Sequence, residues 1–166
     1  MPNELANEFL PENYEVPKSA SNYLKLEKGE NKFRVLGSAI TGYEYWDNNN
    51  KPIRSKTLFT ETPNARVENG KVTIKHFWAF LVYDYSSNST KILELTQKSV
   101  MNSIKSFVTN KKWGNPIGYD LVITREGDGM ETKYNTIAEP HSEIPTVDIP
   151  KVNLEALYTG DDPFKF

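Results

Sequence analysis

A mainly β domain with a single α-helix is predicted by three features of this 166-residue sequence. Lys71 to Tyr85 is the strongest β signal: Val72, Ile74, His76, Trp78, Phe80 and Val82 alternate with Lys75, Phe77, Ala79, Leu81, Tyr83 and Tyr85. Neither face is cleanly polar, so both are expected to be covered. Val100, Met101, Ile104, Phe107 and Val108 follow helical spacing, the one convincing helical stretch. Elsewhere, clusters of Asn, Pro, Gly and Ser bound short apolar runs, the pattern of strands and turns.

Taken in order, residues 1–22 hold Pro2, Pro11, Pro17 and Ser19-Ala20-Ser21 with no sustained period and are expected to form an arm. Tyr23 to Leu26, a turn at Lys28-Gly29-Glu30 and Phe33 to Leu36 predict a short hairpin. It leads into a strand from Ile40 to Trp46, bent at Gly37 and Gly42. Residues 47–70, rich in Asn and Pro, predict a long loop with a short strand around Arg54 to Phe59. After the alternating strand come a turn at Ser86 to Thr90 and a returning strand from Lys91 to Gln97. Thr96 is the candidate N-cap of a helix from Gln97 to Asn110, ended by Gly114 and Pro116. Tyr119 to Glu126, the turn Gly127-Asp128-Gly129 and Glu131 to Ala138 predict a last hairpin. Pro140, Pro145, Pro150 and Pro163 then punctuate a tail expected to be disordered.

One helix between the third and fourth of five strands is the connectivity of the OB-fold, a five-stranded barrel that binds oligonucleotides or oligosaccharides on its strand 2–3 face and flanking loops. The seven or more strands of a β-sandwich are not found. The expected organisation is therefore a flexible arm, 1–22, an OB-fold domain, 23–138, and an acidic tail, 139–166.

Composition narrows the function. The absence of cysteine excludes disulfide scaffolds, thiolate metal sites and cysteine nucleophiles. No membrane span or signal peptide is readable, which leads us to expect a soluble, cytoplasmic protein. The two histidines, His76 in an apolar strand and His141 beside Pro140, do not suggest a shared site. Glu126 to Glu131 lacks the alternating ligands of a calcium loop, and no phosphate-binding glycine motif occurs. We expect neither an enzyme nor a cofactor or metal.

The net charge of −2 conceals a basic body between acidic ends: residues 31–138 hold 15 Lys and Arg against 10 Asp and Glu, with 14 of the 20 aromatic residues. Single-strand binding without sequence readout needs cations for phosphates and flat side chains for bases. The candidate stacking residues are Tyr43, Tyr45, Trp46, Phe77, Trp78, Tyr83, Tyr85 and Tyr134. The candidate phosphate contacts are Lys32, Arg34, Lys51, Arg54, Lys56, Lys75, Arg125 and Lys133. Core packing competes with this role, equally so for Phe77, Trp78 and Phe80. Two other classes also use exposed aromatics, namely a carbohydrate-binding module and a protein-assembly domain.

The chain closes with Thr159-Gly160-Asp161-Asp162-Pro163-Phe164-Lys165-Phe166, which resembles the acidic, Phe-terminated tip of bacterial and phage single-stranded DNA-binding proteins. The body resembles phage members of that class with an OB-fold. The similar stretches are Tyr23 to Leu26 with Gly29 to Leu36, Gly42 to Trp46 with Lys51 to Ser55, Phe77 to Phe80, Ile92 to Gln97, and Trp113-Gly114 through Tyr119-Asp120-Leu121 to Thr124-Arg125. The resemblance implies a role in phage replication, recombination or repair in the host-cell cytoplasm. It also implies a tail (Asp161, Asp162, Pro163, Phe164, Phe166) that recruits phage or host replication and recombination proteins. Lys165 departs from the usual tip, and the zinc site of some phage members cannot be built without cysteine.

Overall fold

The computed structural model describes residues 9–14, 22–145 and 148–165. Its elements follow in the order β1 (Tyr23–Leu24), β2 (Gly29–Val35), β3 (Ile40–Trp46), β4 (Pro52–Ser55), β5 (Val67–Glu68), β6 (Lys71–Val72), β7 (Lys75–Asp84), β8 (Ser89–Leu95), α1 (Lys98–Thr109), β9 (Asp120–Glu126) and β10 (Lys133–Ala138). Eight strands form one mixed sheet ordered β1-β8-β7-β2-β9-β10, with β3 paired to β7 and β4 to β3. β5 and β6 form a separate small hairpin.

β7 organises the sheet. One edge pairs with β8 from Trp78↔Leu95 to Asp84↔Ser89. The other meets β3 near its start, Lys75↔Glu44 to Ala79↔Ile40, and β2 near its end, Val82↔Val35 to Asp84↔Phe33. The chain serves one edge twice because it bends between β2 and β3, where the Leu36 amide donates to the Leu81 carbonyl at 2.9 Å. At Gly42 a Cβ would overlap the Ser55 carbonyl oxygen of β4 and crowd the Phe77 ring at 3.2 Å, so only glycine lets these pieces approach.

The mainly β class and the helix between β8 and β9 match the expectation. Closure does not: β8 and β10, whose pairing would complete a five-stranded ring, form no ladder among the described residues. The expected hairpin of Tyr23–Leu26 with Phe33–Leu36 is also replaced. β1 lies parallel to β8, with the Ile92 amide donating to the Asn22 carbonyl at 2.8 Å, while β2 pairs with β9 from Gly29↔Arg125 to Arg34↔Asp120. Leu24 and Leu26 pack on the main core from that position. Thr96 is not the helix cap: Gln97 holds that place without a side-chain cap bond.

Both faces of β7 are buried. Phe80 and Val82 enter the main core with Phe33, Val35, Leu93, Leu95, Leu121, Ile123 and the α1 residues Val100, Met101 and Ile104. Phe77, Ala79 and Leu81 face the other way and, with Ile92, form a second cluster. That cluster is covered by the C-terminal segment, which corrects the expectation of a disordered tail. A 3-10 turn at Leu154–Tyr158 seats Leu157, and Val152, Leu154, Tyr158 and Phe164 pack around it. Burying the Leu157 side chain is worth about 1.5–3 kcal/mol. The Tyr158 hydroxyl donates to the Thr41 carbonyl at 2.6 Å, and Lys56 pairs with Glu155 at 2.9 Å.

Candidate nucleic-acid interface

Several of the expected contacts are used inside the protein. Arg34 is fully buried. Its Nε donates to Asp120 at 2.7 Å and its Nη1 to the carbonyls of Ile117 and Ser142 at 3.1 and 3.2 Å, with a further bond to the Ser142 hydroxyl. It cannot reach a phosphate, because it ties β2 to β9 and to the chain beyond β10. Lys32 lies beside it, 3.8 Å from Asp120 and 3.4 Å from Glu139, and over the Tyr85 ring at 5.1 Å. The Tyr85 hydroxyl donates to Asp120 at 2.7 Å, and burial together with that carboxylate pushes its pKa up to about 12. Tyr83 meets Tyr85 edge-on at 5.1 Å.

Arg54 is the second correction. β4 places it opposite Glu44 on β3, and its Nε lies 3.3 Å from Glu44 while its Nη2 lies 2.8 Å from Glu94 on β8. It also sits 5.8 Å from the centroid of Phe77. Burial, followed by the hydrogen bond and charge of Glu94, raises the Glu44 pKa to about 8. With two carboxyl groups and a ring around it, this guanidinium is not available to DNA. Phe77 is itself fully buried beneath Tyr158, whose ring centroid lies 6.3 Å away. Tyr45 is buried against Phe59 at 4.8 Å, its hydroxyl donating to the Pro63 carbonyl at 3.1 Å, because residues 57–66 fold back over it. Arg125 directs Nη1 to the Leu26 carbonyl at 3.1 Å, and Tyr134 packs half-buried on the main core.

Of the remaining candidates, Trp46, Lys51, Lys56, Lys75 and Lys133 are exposed, whereas Tyr43 and Trp78 are half-buried. Trp46, at the end of β3, is 43% exposed. It lines a polar hollow of about 310 Å³ with Arg66, Lys75, Glu68, Thr73 and Glu44. The long loop is ordered so as to frame this hollow. The Asp47 carboxylate accepts from the amides of Asn49 and Lys51 at 2.8 and 2.9 Å, the Arg66 amide donates to the Trp46 carbonyl at 2.8 Å, and the Arg66 guanidinium bonds Asn50. Lys75 has no ion pair among the described residues, and Tyr43 packs on His76 at 5.2 Å on the opposite face of the same strands. Lys51 and Lys133 are exposed, whereas Lys56 is exposed but engaged by Glu155 and the Tyr158 ring at 5.3 Å. Trp78 is half-buried and faces a separate cavity beside α1.

Of the tail residues, Asp161 and Asp162 are exposed, Pro163 is buried, Phe164 packs on the second cluster, and Phe166 lies outside the described residues. One residue was missed. Arg66 sits in an Asn-rich loop whose sequence says nothing about which way it folds. His141 stacks on Trp113 at 5.8 Å and bonds its carbonyl at 2.7 Å, the satisfied histidine that the sequence favoured over a shared site. Among the described residues no group of three acidic or histidine side chains could hold a metal, and no helix is long and apolar enough to cross a membrane. Compared with known protein families, curated proteins and solved structures, the chain finds no match.

Proposed function

We propose that the protein binds single-stranded DNA without strong sequence preference and serves phage replication, recombination or repair. The observation that carries the reading is the cluster at the loop end: an exposed Trp46 beside Lys75, which has no ion pair among the described residues, and Arg66, whose only ion pair among the described residues is a long, solvent-exposed one to Glu68 at 3.9 Å, around one open hollow that Glu44 and Glu68 also line. A flat ring for a base and cations for neighbouring phosphates are what such binding requires. The architecture supports it. We read the strand order β8-β7-β2-β9-β10, with a helix between β8 and β9, as an OB-fold opened between its third and fifth strands. The loop that frames Trp46 would then be the one joining the first and second strands, a loop such folds use for oligonucleotides. The acidic residues Asp161 and Asp162 remain exposed for a protein partner, although the chain around them is seated.

The test is quenching of tryptophan fluorescence by oligothymidine and by a duplex of equal length, across a salt series. Quenching by the single strand alone, weakening with salt by a slope of roughly −0.7 per phosphate contacted, supports the reading. Absence of binding at low salt by the full chain sinks it. Salt-independent binding of a neutral oligosaccharide would replace it.

A further inference from the structure

Between Glu94 and Asp120 the chain contains no acidic residue, the longest such interval in the sequence, and that interval holds Lys98, Lys105, Lys111 and Lys112. All four are exposed, and none makes an ion pair among the described residues. Lys98 and Lys105 are seven residues apart on α1, which places them on one stripe about 10.5 Å apart. Four exposed lysines with no acidic residue in the same interval make this a locally positive patch.

Beside that stripe opens a cavity of about 500 Å³. Its walls are apolar: Trp78 and Phe80 of β7, Val35 of β2, and Ile104 and Val108 of α1. Ser38, Thr41, Lys105 and Asn115 supply its polar lining. The Asn115 side-chain oxygen accepts from the Ile117 amide at 3.1 Å, so its amide nitrogen is the part of that side chain left to donate to a ligand. The cavity lies on the opposite face of β7 from Phe77, so the C-terminal segment does not cover it.

From this juxtaposition we infer that the cavity beside α1 is a second nucleic-acid contact, one that takes a single unstacked base against Trp78 while Lys105 and its neighbouring lysines hold the adjoining phosphates. The inference rests on the single-strand reading above and adds to it a path away from Trp46. An apolar slot with a ring wall suits a base face, and a donor amide at the rim suits a base carbonyl. The uncompensated lysines favour a polyanion over an apolar peptide.

The experiment uses the full chain, with oligothymidine and an abasic deoxyribose-phosphate strand of equal length as probes. Ser38 is exposed at the cavity edge, so Ser38→Trp plugs the cavity from the surface. Ser38→Trp should weaken oligothymidine binding by roughly 5- to 150-fold, the range of one stacked base, and leave the abasic strand unaffected. Lys105→Glu should weaken both. To guard against misfolding of the plugged variant, the wild-type chain is labelled with 5-fluorotryptophan and resolved through Trp46→Phe and Trp113→Phe. The Trp78 resonance should shift with oligothymidine and not with the abasic strand. Wild-type binding that neither variant alters, with a static Trp78 resonance, overturns this inference while the single-strand reading stands on Trp46. No binding of either strand by wild type overturns both. A change in oligomeric state of DNA-free Ser38→Trp also overturns it, by assigning the cavity to a second copy of the chain.

Discussion

On the Phe77 face of β7, cation and ring meet inside the protein: Arg54 lies over Phe77 and divides its bonds between Glu44 and Glu94, and Phe77 is roofed by the segment carrying Leu157 and Tyr158. At the loop end the same residue types meet in the open, with Trp46 exposed and Lys75 beside it. In sequence the two regions are alike, aromatics interleaved with Lys and Arg. What separates them is the position of the carboxylates. β3 and β8 bring Glu44 and Glu94 to Arg54, and because Glu44, the register partner of Lys75, turns to Arg54, Lys75 has no ion pair among the described residues. A cation matched inside the fold contributes to structure and is lost to a ligand.

The largest effect expected from this contrast is at Arg34, the other internally matched cation. Arg34→Ala leaves Asp120 buried without its main partner and should cost about 3–5 kcal/mol, read from urea unfolding. DNA affinity, measured where the variant is still folded, should hardly change. A variant that unfolds like wild type but no longer binds DNA would reverse the assignment of Arg34 from structure to interface.

Next in size is the roof over Phe77. Leu157→Ala should destabilise by about 2–5 kcal/mol if the segment is seated as described. A change near zero would mean that this face is open in solution and that Phe77 and Arg54 return as candidate contacts.

The contrast also shows how far the sequence could be read. The alternation in Lys71 to Tyr85 told correctly that both faces of the strand are covered, because apolar residues fall on both faces, without a break from Phe77 to Tyr83, and leave neither face cleanly polar. The cover on one face could not be foreseen. Leu154 to Tyr158 lies between prolines and acids, and its 3-10 turn is too short to show a period. The strand at Tyr23–Leu24 was expected but its partner was not: parallel pairing with β8 leaves no turn between partners for the sequence to show. The site was legible where polarity changes abruptly, at Trp46 next to the Asn-rich loop. It was illegible at Arg34, Tyr45 and Arg54, whose partners Asp120, Pro63, Glu44 and Glu94 come from other parts of the chain.

At the open end, the expected losses are smaller and confined to binding. Trp46→Ala should cost one stacked base, about 1–3 kcal/mol of DNA affinity. Lys75→Gln should reduce the salt slope by roughly 0.7. Both should unfold within about 0.5 kcal/mol of wild type, as surface substitutions do. If Trp46→Ala lowers stability and leaves affinity intact, the hollow is structural and the two regions no longer differ.

The prediction most diagnostic of the closed face concerns the proton held by Glu44 beside Arg54. Glu44 has a folded-state pKa of about 8, raised chiefly by burial, so the folded protein keeps a proton that the unfolded chain releases in the ordinary carboxyl range. Stability should therefore be complete below that range, fall as pH rises through it toward 8, and level off above, because over that window the folded state binds more protons. Glu44→Gln is neutral at every pH, and its amide can donate where the protonated carboxyl did. It should lie within about 1.5 kcal/mol of wild type at mildly acidic pH and exceed it increasingly as pH approaches 8. Urea midpoints of both proteins across this window decide the matter. Curves that run parallel would show that Glu44 ionises normally and that its carboxylate is solvated. In that case the Arg54 cluster is open to water, and the closed face loses its distinction from the loop end.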